Sequence, residues 1–109
     1  MIESLLGNKT AERVLLYITN YGEGNISGIA TTFGLAKSQV RKQLMRLEEG
    51  EILVGRDIGN LRMFTFNPRY PLRVEVEKLC EKALLILPDS EKEKFYRQRR
   101  RPRRTGKAL

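Results

Sequence analysis

The 109-residue sequence predicts a mainly α domain with a small β-hairpin: a winged helix-turn-helix plus a C-terminal helix. Three features carry this. Apolar residues recur at helical spacing in the first half, a short break at Gly34 separates two of the periodic segments, and two strand-like runs flank Asp57-Ile58-Gly59-Asn60. The length suits one hydrophobic core with appendages, and 40% hydrophobic with 31% charged residues is the balance of a folded domain.

Asn8 or Thr10 can cap a first helix that places Ala11, Val14, Leu15 and Ile18 on one face and ends near Asn20-Tyr21-Gly22. Glu23-Gly24-Asn25 reads as a turn and Ile26 as a brief strand. Ser27 then caps a second helix that buries Ile29, Ala30 and Phe33. Gly34 followed by Leu35 is a left-handed stop with its hydrophobic contact. A third helix, about 37–48, follows almost at once with Val40, Leu44 and Leu47 inward, and this tight glycine-containing junction is the helix-turn-helix signature.

Ile52-Leu53-Val54 and Leu61-Arg62-Met63-Phe64-Thr65-Phe66 form the hairpin, a wing spanning 54–64. Pro68 and Pro71 punctuate its exit. A fourth helix then carries Leu72, Val76, Leu79, Ala83 and Ile86 at the 4-3-4-3 spacing of a short coiled-coil seam. This stripe can cover the first helix, pair with a second copy, or do both; Ile2, Leu5, Leu6, Leu84 and Leu87 can add to it. Pro88 stops the helix, and Asp89 to Lys94 can restart one for a few turns. The divisions are 1–70 for the winged domain, 71–96 for the C-terminal helices with a dimerisation role, and 97–109 for a basic tail expected to be disordered when free.

Charge sharpens the picture. The formal net charge is +8, of which residues 1–88 carry +2 and residues 89–109 carry +6. The tail holds Arg97, Arg99, Arg100, Arg101, Arg103, Arg104 and Lys107. A second basic group, Lys37, Arg41, Lys42 and Arg46, has no acid within it.

Other classes are poorly provisioned. There is no histidine and Cys80 is the sole cysteine, which excludes an intramolecular disulfide and argues against a metal centre, a cofactor or acid–base catalysis. Cys80 reads as a small core or interface residue. The longest apolar run, Ala83 to Leu87, is far short of the ~20 residues of a membrane span. The first residues lack the pattern of a secretory signal, so a cytoplasmic, nucleoid-associated location is expected.

Leu35-Ala36-Lys37-Ser38-Gln39-Val40-Arg41-Lys42-Gln43-Leu44 and Leu47-Glu48-Glu49-Gly50-Glu51-Ile52-Leu53 resemble the recognition helix and strand entry of ArsR-like winged-helix transcriptional regulators. Phe66-Asn67-Pro68 with Tyr70-Pro71-Leu72 is similar to the wing exit of a subgroup often found near nucleotidyltransferase genes. The resemblance covers roughly residues 5–87. It departs from the family at Ala36, where a Ser or Asp usually caps the helix, and in lacking the paired cysteines of metal-sensing members.

The resemblance implies a regulator, commonly a repressor, that binds double-stranded DNA as a homodimer. On a helical wheel, Ser38, Gln39, Arg41 and Lys42 stand away from the Val40 face and are the expected base contacts, with Lys37 and Arg46 on phosphates. Met45 can touch a thymine methyl or another protein element. Arg56, Asn60 and Arg62 are the wing contacts to backbone or minor groove. The dimer contacts are Leu72, Val76, Leu79, Ala83 and Ile86. The tail reads first as non-specific phosphate charge, with RNA contact or a localisation signal as alternatives. Two other functions fit the same residues: a winged-helix adaptor or antitoxin, and a non-specific architectural nucleic-acid-binding protein.

Overall fold

The computed structural model describes residues 1–98. Its elements run α1 (Glu3–Leu6), α2 (Lys9–Tyr21), α3 (Ile26–Phe33), α4 (Lys37–Glu49), β1 (Leu53–Ile58), β2 (Leu61–Phe66), α5 (Arg73–Ile86) and α6 (Asp89–Glu91), which passes into a π-helical turn at Lys92–Tyr96. This is a winged helix-turn-helix with a C-terminal helix, as expected.

Helix α2 is the centre of the molecule. Asn8 Oδ1 caps it by accepting the Ala11 N–H at 2.8 Å, satisfying one donor that the first turn leaves free. Its inward residues Ala11, Val14, Leu15 and Ile18 are buried as the spacing predicts, and so are Leu16 and Tyr17, because other elements cover its remaining sides. Glu12 is buried too, and its carboxylate accepts the Ile2 N–H at 2.7 Å and pairs with Lys9 at 3.1 Å. These bonds hold the chain before α1 against α2.

The junction of α3 and α4 follows the sequence. Gly34 is left-handed at φ +66°, and the Leu35 N–H closes back on Ala30 O at 2.9 Å. The start of α3 differs. Asn25, not Ser27, is the cap, accepting the Gly28 N–H at 2.8 Å, and Ile26 already belongs to the helix. The cause lies one residue earlier. Gly24 pairs with Phe64 of the wing in both directions, at 3.0 and 2.8 Å, which leaves Asn25 extended and in position to cap. A side chain at Gly24 would meet the Tyr17 ring and Ile29 at 3.0 Å, so those neighbours would have to shift to admit any other residue here.

The second wing strand covers the expected Leu61–Phe66, whereas the first runs on to Ile58 and the turn is shorter than the sequence suggests. Ile58 pairs with Leu61, leaving Gly59-Asn60 as a two-residue turn. Gly59 alone takes a positive φ there, +61°, as the first position of a II′ hairpin requires, whereas Asn60 does not. Phe64, fully buried, ties the hairpin to the core.

After α5, Leu87 and Tyr96 re-enter the core, so the C-terminal helices pack as part of the winged domain. The restarted helix is one α-helical turn and one π-helical turn, shorter than the few turns expected. Among the described residues, no helix is long and apolar enough to cross a membrane.

Candidate nucleic-acid interface

Val40, Leu44 and Leu47 turn one side of α4 into the core, which leaves Lys37, Ser38, Gln39, Arg41, Lys42 and Arg46 exposed on the other. Lys37, Ser38 and Arg41 meet the cap and first residues of α3, Asn25 to Ser27, and the wing residues Asn60 to Arg62 around a cleft of about 370 Å³. Sequence reasoning named the α4 and wing residues but missed the α3 wall. An α-helix fits a duplex major groove, and the α4 residues nearest its N-terminus face outward here, where such helices reach base edges.

Four of the expected contacts, Gln39, Arg46, Arg62 and Arg56, are already engaged within the chain. Ala36 offers no cap, and Gln39 Oε1 bends back to accept its N–H at 3.3 Å. Arg46 donates through Nε to Gln43 at 3.0 Å and through Nη2 to the Leu6 carbonyl at 2.9 Å, strapping α4 to the end of α1. Arg62 donates to Glu48 Oε2 at 2.6 Å and to Asp57 at 3.1 Å, with its guanidinium 5.7 Å from the Phe64 ring centre.

Glu48 also accepts the Gly55 N–H at 3.2 Å, so this one carboxylate fixes the wing against α4. Its hydrogen bond, followed by that of Asp57, raises the Arg62 pKa. Sequence reasoning missed Glu48 and read Asp57 as part of the turn, whereas the observed register sets Asp57 in β1 opposite Arg62. Arg56 pairs with Glu23 at 3.7 Å, a surface contact of little energetic weight. Asn60 is exposed at the wing tip, and Met45 is half-buried against the core.

The stripe on α5 divides. Ala83 is 2% exposed and Val76 packs against the core, whereas Leu72 and Ile86 are 55% and 58% exposed and Leu79 is half-buried. Ala83 therefore serves its own chain and is not available to a second copy. The buried face centres on Val76, Cys80, Ala83 and Leu87, about 60° round the helix from the expected seam. Leu72, Leu79 and Ile86 form an outward line.

Cys80 is a core residue. Burial pushes its thiol up to about 11, against a smaller opposing effect of the Thr19 hydrogen bond. At pH 8 a group titrating there is thiolate to only about one part in a thousand. Cys80 is accordingly expected to resist Ellman's reagent in the folded protein and to react promptly once guanidinium unfolds it; fast reaction without denaturant would place it at the surface.

Arg97 is exposed and paired with Glu93 at 2.7 Å. The other tail residues named above, Arg99, Arg100, Arg101, Arg103, Arg104 and Lys107, lie outside the described residues. Among the described residues there is no cluster of three potential metal ligands.

No protein-family model matches the sequence, and no curated protein matches it. Solved structures do. Reduced HlyU from Vibrio cholerae superposes with a TM-score of 0.62 at 14% identity, covering 78% of this chain and 83% of its own. A substituted apo ZitR from Lactococcus lactis gives 0.56 at 22% identity, covering 84% and 75%. The adhesin competence repressor of Streptococcus pyogenes gives 0.55 at 15%, covering 86% and 73%. These similarities are of fold, the winged helix-turn-helix.

Proposed function

We propose that this chain is a sequence-specific, double-stranded DNA-binding transcriptional regulator of the ArsR-like winged-helix class, acting as a repressor. The observation that carries the reading is the convergence of Lys37, Ser38 and Arg41 with the start of α3 and the wing tip on one exposed cleft. One structural neighbour is itself named a repressor.

Helix α4 enters the major groove. Ser38, Arg41 and Lys42 read base edges, Arg41 or Lys42 donating to guanine O6 and N7. Gln39 reads adenine by exchanging its bond to the Ala36 N–H for one to the base. Lys37 holds phosphate, and Arg46 adds its remaining N–H groups while keeping its strap to Leu6. Arg56 and Asn60 lie along the backbone or minor groove, and Arg62 chiefly sets the wing angle through Glu48. A homodimer joined along Leu72, Leu79 and Ile86 presents two such helices to a palindromic site. The protein works in the cytoplasm on the chromosome, without a metal or cofactor.

The test starts from DNA fragments enriched by the full chain from a random pool. Lys42→Ala and Ser38→Ala are expected to relax preference at particular base pairs. The loss for Lys42→Ala is about 1–3 kcal/mol at its base pair, roughly 5–150-fold in affinity, with little change in melting temperature. Equal losses on specific and scrambled duplexes would show that these side chains do not read bases.

A further inference from the structure

The chain after Pro88 does not simply trail from α5; it is fastened across α2 and α3. Asn20 Nδ2 donates to Tyr96 O and Tyr21 Oη to Phe95 O, both at 2.7 Å, and Tyr21 Oη accepts the Gln98 N–H at 3.3 Å. The Phe95 ring lies 4.9 Å from that of Phe33, the last residue of α3, and the Arg13 guanidinium covers both at 5.7 and 5.3 Å. Tyr96 is 7% exposed. Two of the bonds grip backbone carbonyls, so they fix the course of the main chain as well as the aromatic side chains.

The end of this hook is placed where it matters. Gln98 opens onto a groove that runs past Thr32, Thr31 and Ser27 to Asn25 and to Leu61 at the wing tip. Asn25, Ser27 and Leu61 also line the cleft that holds Lys37, Ser38 and Arg41. The two concavities therefore form one continuous face. The groove presents hydroxyls and amides with no carboxylate, the set of neutral groups that hydrogen-bonds phosphate oxygens. Six further basic side chains follow Gln98 within 11 residues.

We propose that the Phe95-Tyr96 hook is a positioning device that delivers the arginine-rich tail along the α3 face, so that it neutralises backbone phosphates immediately flanking the DNA held by α4. This rests on the DNA-binding reading above and adds to it a direction and a reach. A chain spans at most about 3.5 Å per residue, so seven residues reach at most about 25 Å, or some seven base pairs along a strand.

The experiment uses the full chain with Thr105→Cys carrying an iron-chelate cleavage reagent; buried Cys80 stays unlabelled. Bound to a duplex enriched by the unmodified protein, it is expected to cut in a cluster confined to about seven base pairs on the wing side of each protected site. Phe95→Ala and the milder Tyr21→Phe should each disperse that cluster, lowering its peak at least several-fold, while protection by α4 is kept. Tyr21→Phe removes one hydroxyl and decides the matter if Phe95→Ala fails to fold. Even cutting along the duplex, or an unchanged cluster in Tyr21→Phe, overturns the proposal. Failure of the full chain to enrich any duplex overturns the DNA-binding reading itself, and the hook's role with it.

Discussion

Ala83→Glu is expected to unfold the chain, whereas Ile86→Glu, three residues on, is expected to leave it folded and to separate the proposed dimer. Ala83 is 2% exposed among the residues that α5 packs into the core. A glutamate there overfills the site, which costs about 1–3 kcal/mol, and its carboxylate must ionise without a partner or take up a proton, at a further cost of several kcal/mol. A domain of this size has about 5–15 kcal/mol in all, and each kcal/mol lost lowers the melting temperature by roughly 4–8 °C. The expected drop is therefore on the order of 20 °C or more, or no folded protein.

Ile86 is 58% exposed, so the same substitution there stays hydrated and shifts stability by about 0.5 kcal/mol at most. In the proposed dimer it would put a charge on the outward line with Leu72 and Leu79. Circular dichroism melts and sedimentation of both variants separate the cases. A folded, monomeric Ala83→Glu would return Ala83 to the interface, and a wild type that sediments as a monomer well above its DNA-binding concentration would remove the dimer.

The contrast between these residues also shows how far the sequence could be read. Helices α2 and α4 were legible because Asn8 lies directly before one periodic run and because Val40, Leu44 and Leu47 leave a single consistent face. On α5 a 4-3-4-3 stripe and the true buried face differ by less than one residue's rotation. What decides between them is that Cys80 and Leu87 pack into the core, a tertiary fact without a local signature. Asn25 and Ser27 are both good caps; pairing of Gly24 with Phe64, 40 residues away in the chain, selects the first.

The site was legible as a surface but not as a set of free groups. Lys37, Ser38, Arg41 and Lys42 are exposed as the wheel requires. Arg46 and Arg62 look identical to them in sequence, yet their partners, the Leu6 carbonyl and Glu48, come from other elements. The hook was missed for a similar reason. Phe95 and Tyr96 stand next to each other in a charged stretch with no periodicity, and their binding surface is made by Arg13, Asn20, Tyr21 and Phe33 of distant helices.

Truncation after Gln98 is expected to weaken binding to every duplex by a factor that shrinks as salt rises, and to leave sequence preference nearly intact. It removes Arg99, Arg100, Arg101, Arg103, Arg104 and Lys107 while keeping the hook and the α4 face. Each phosphate neutralised on duplex DNA contributes about 0.9 to the slope of log affinity against log salt. If three tail residues per chain are engaged, the slope falls by about 2.7 per chain, and a fourfold change in salt, from 50 to 200 mM, alters the ratio of full-length to truncated affinity roughly 40-fold for each chain bound. Titration of both proteins against the enriched duplex and a scrambled one, across that range, measures it. An unchanged slope would assign the tail to RNA or to a protein partner. Loss confined to the enriched duplex would mean that the tail reads sequence or shape, because phosphate neutralisation alone takes the same toll on both.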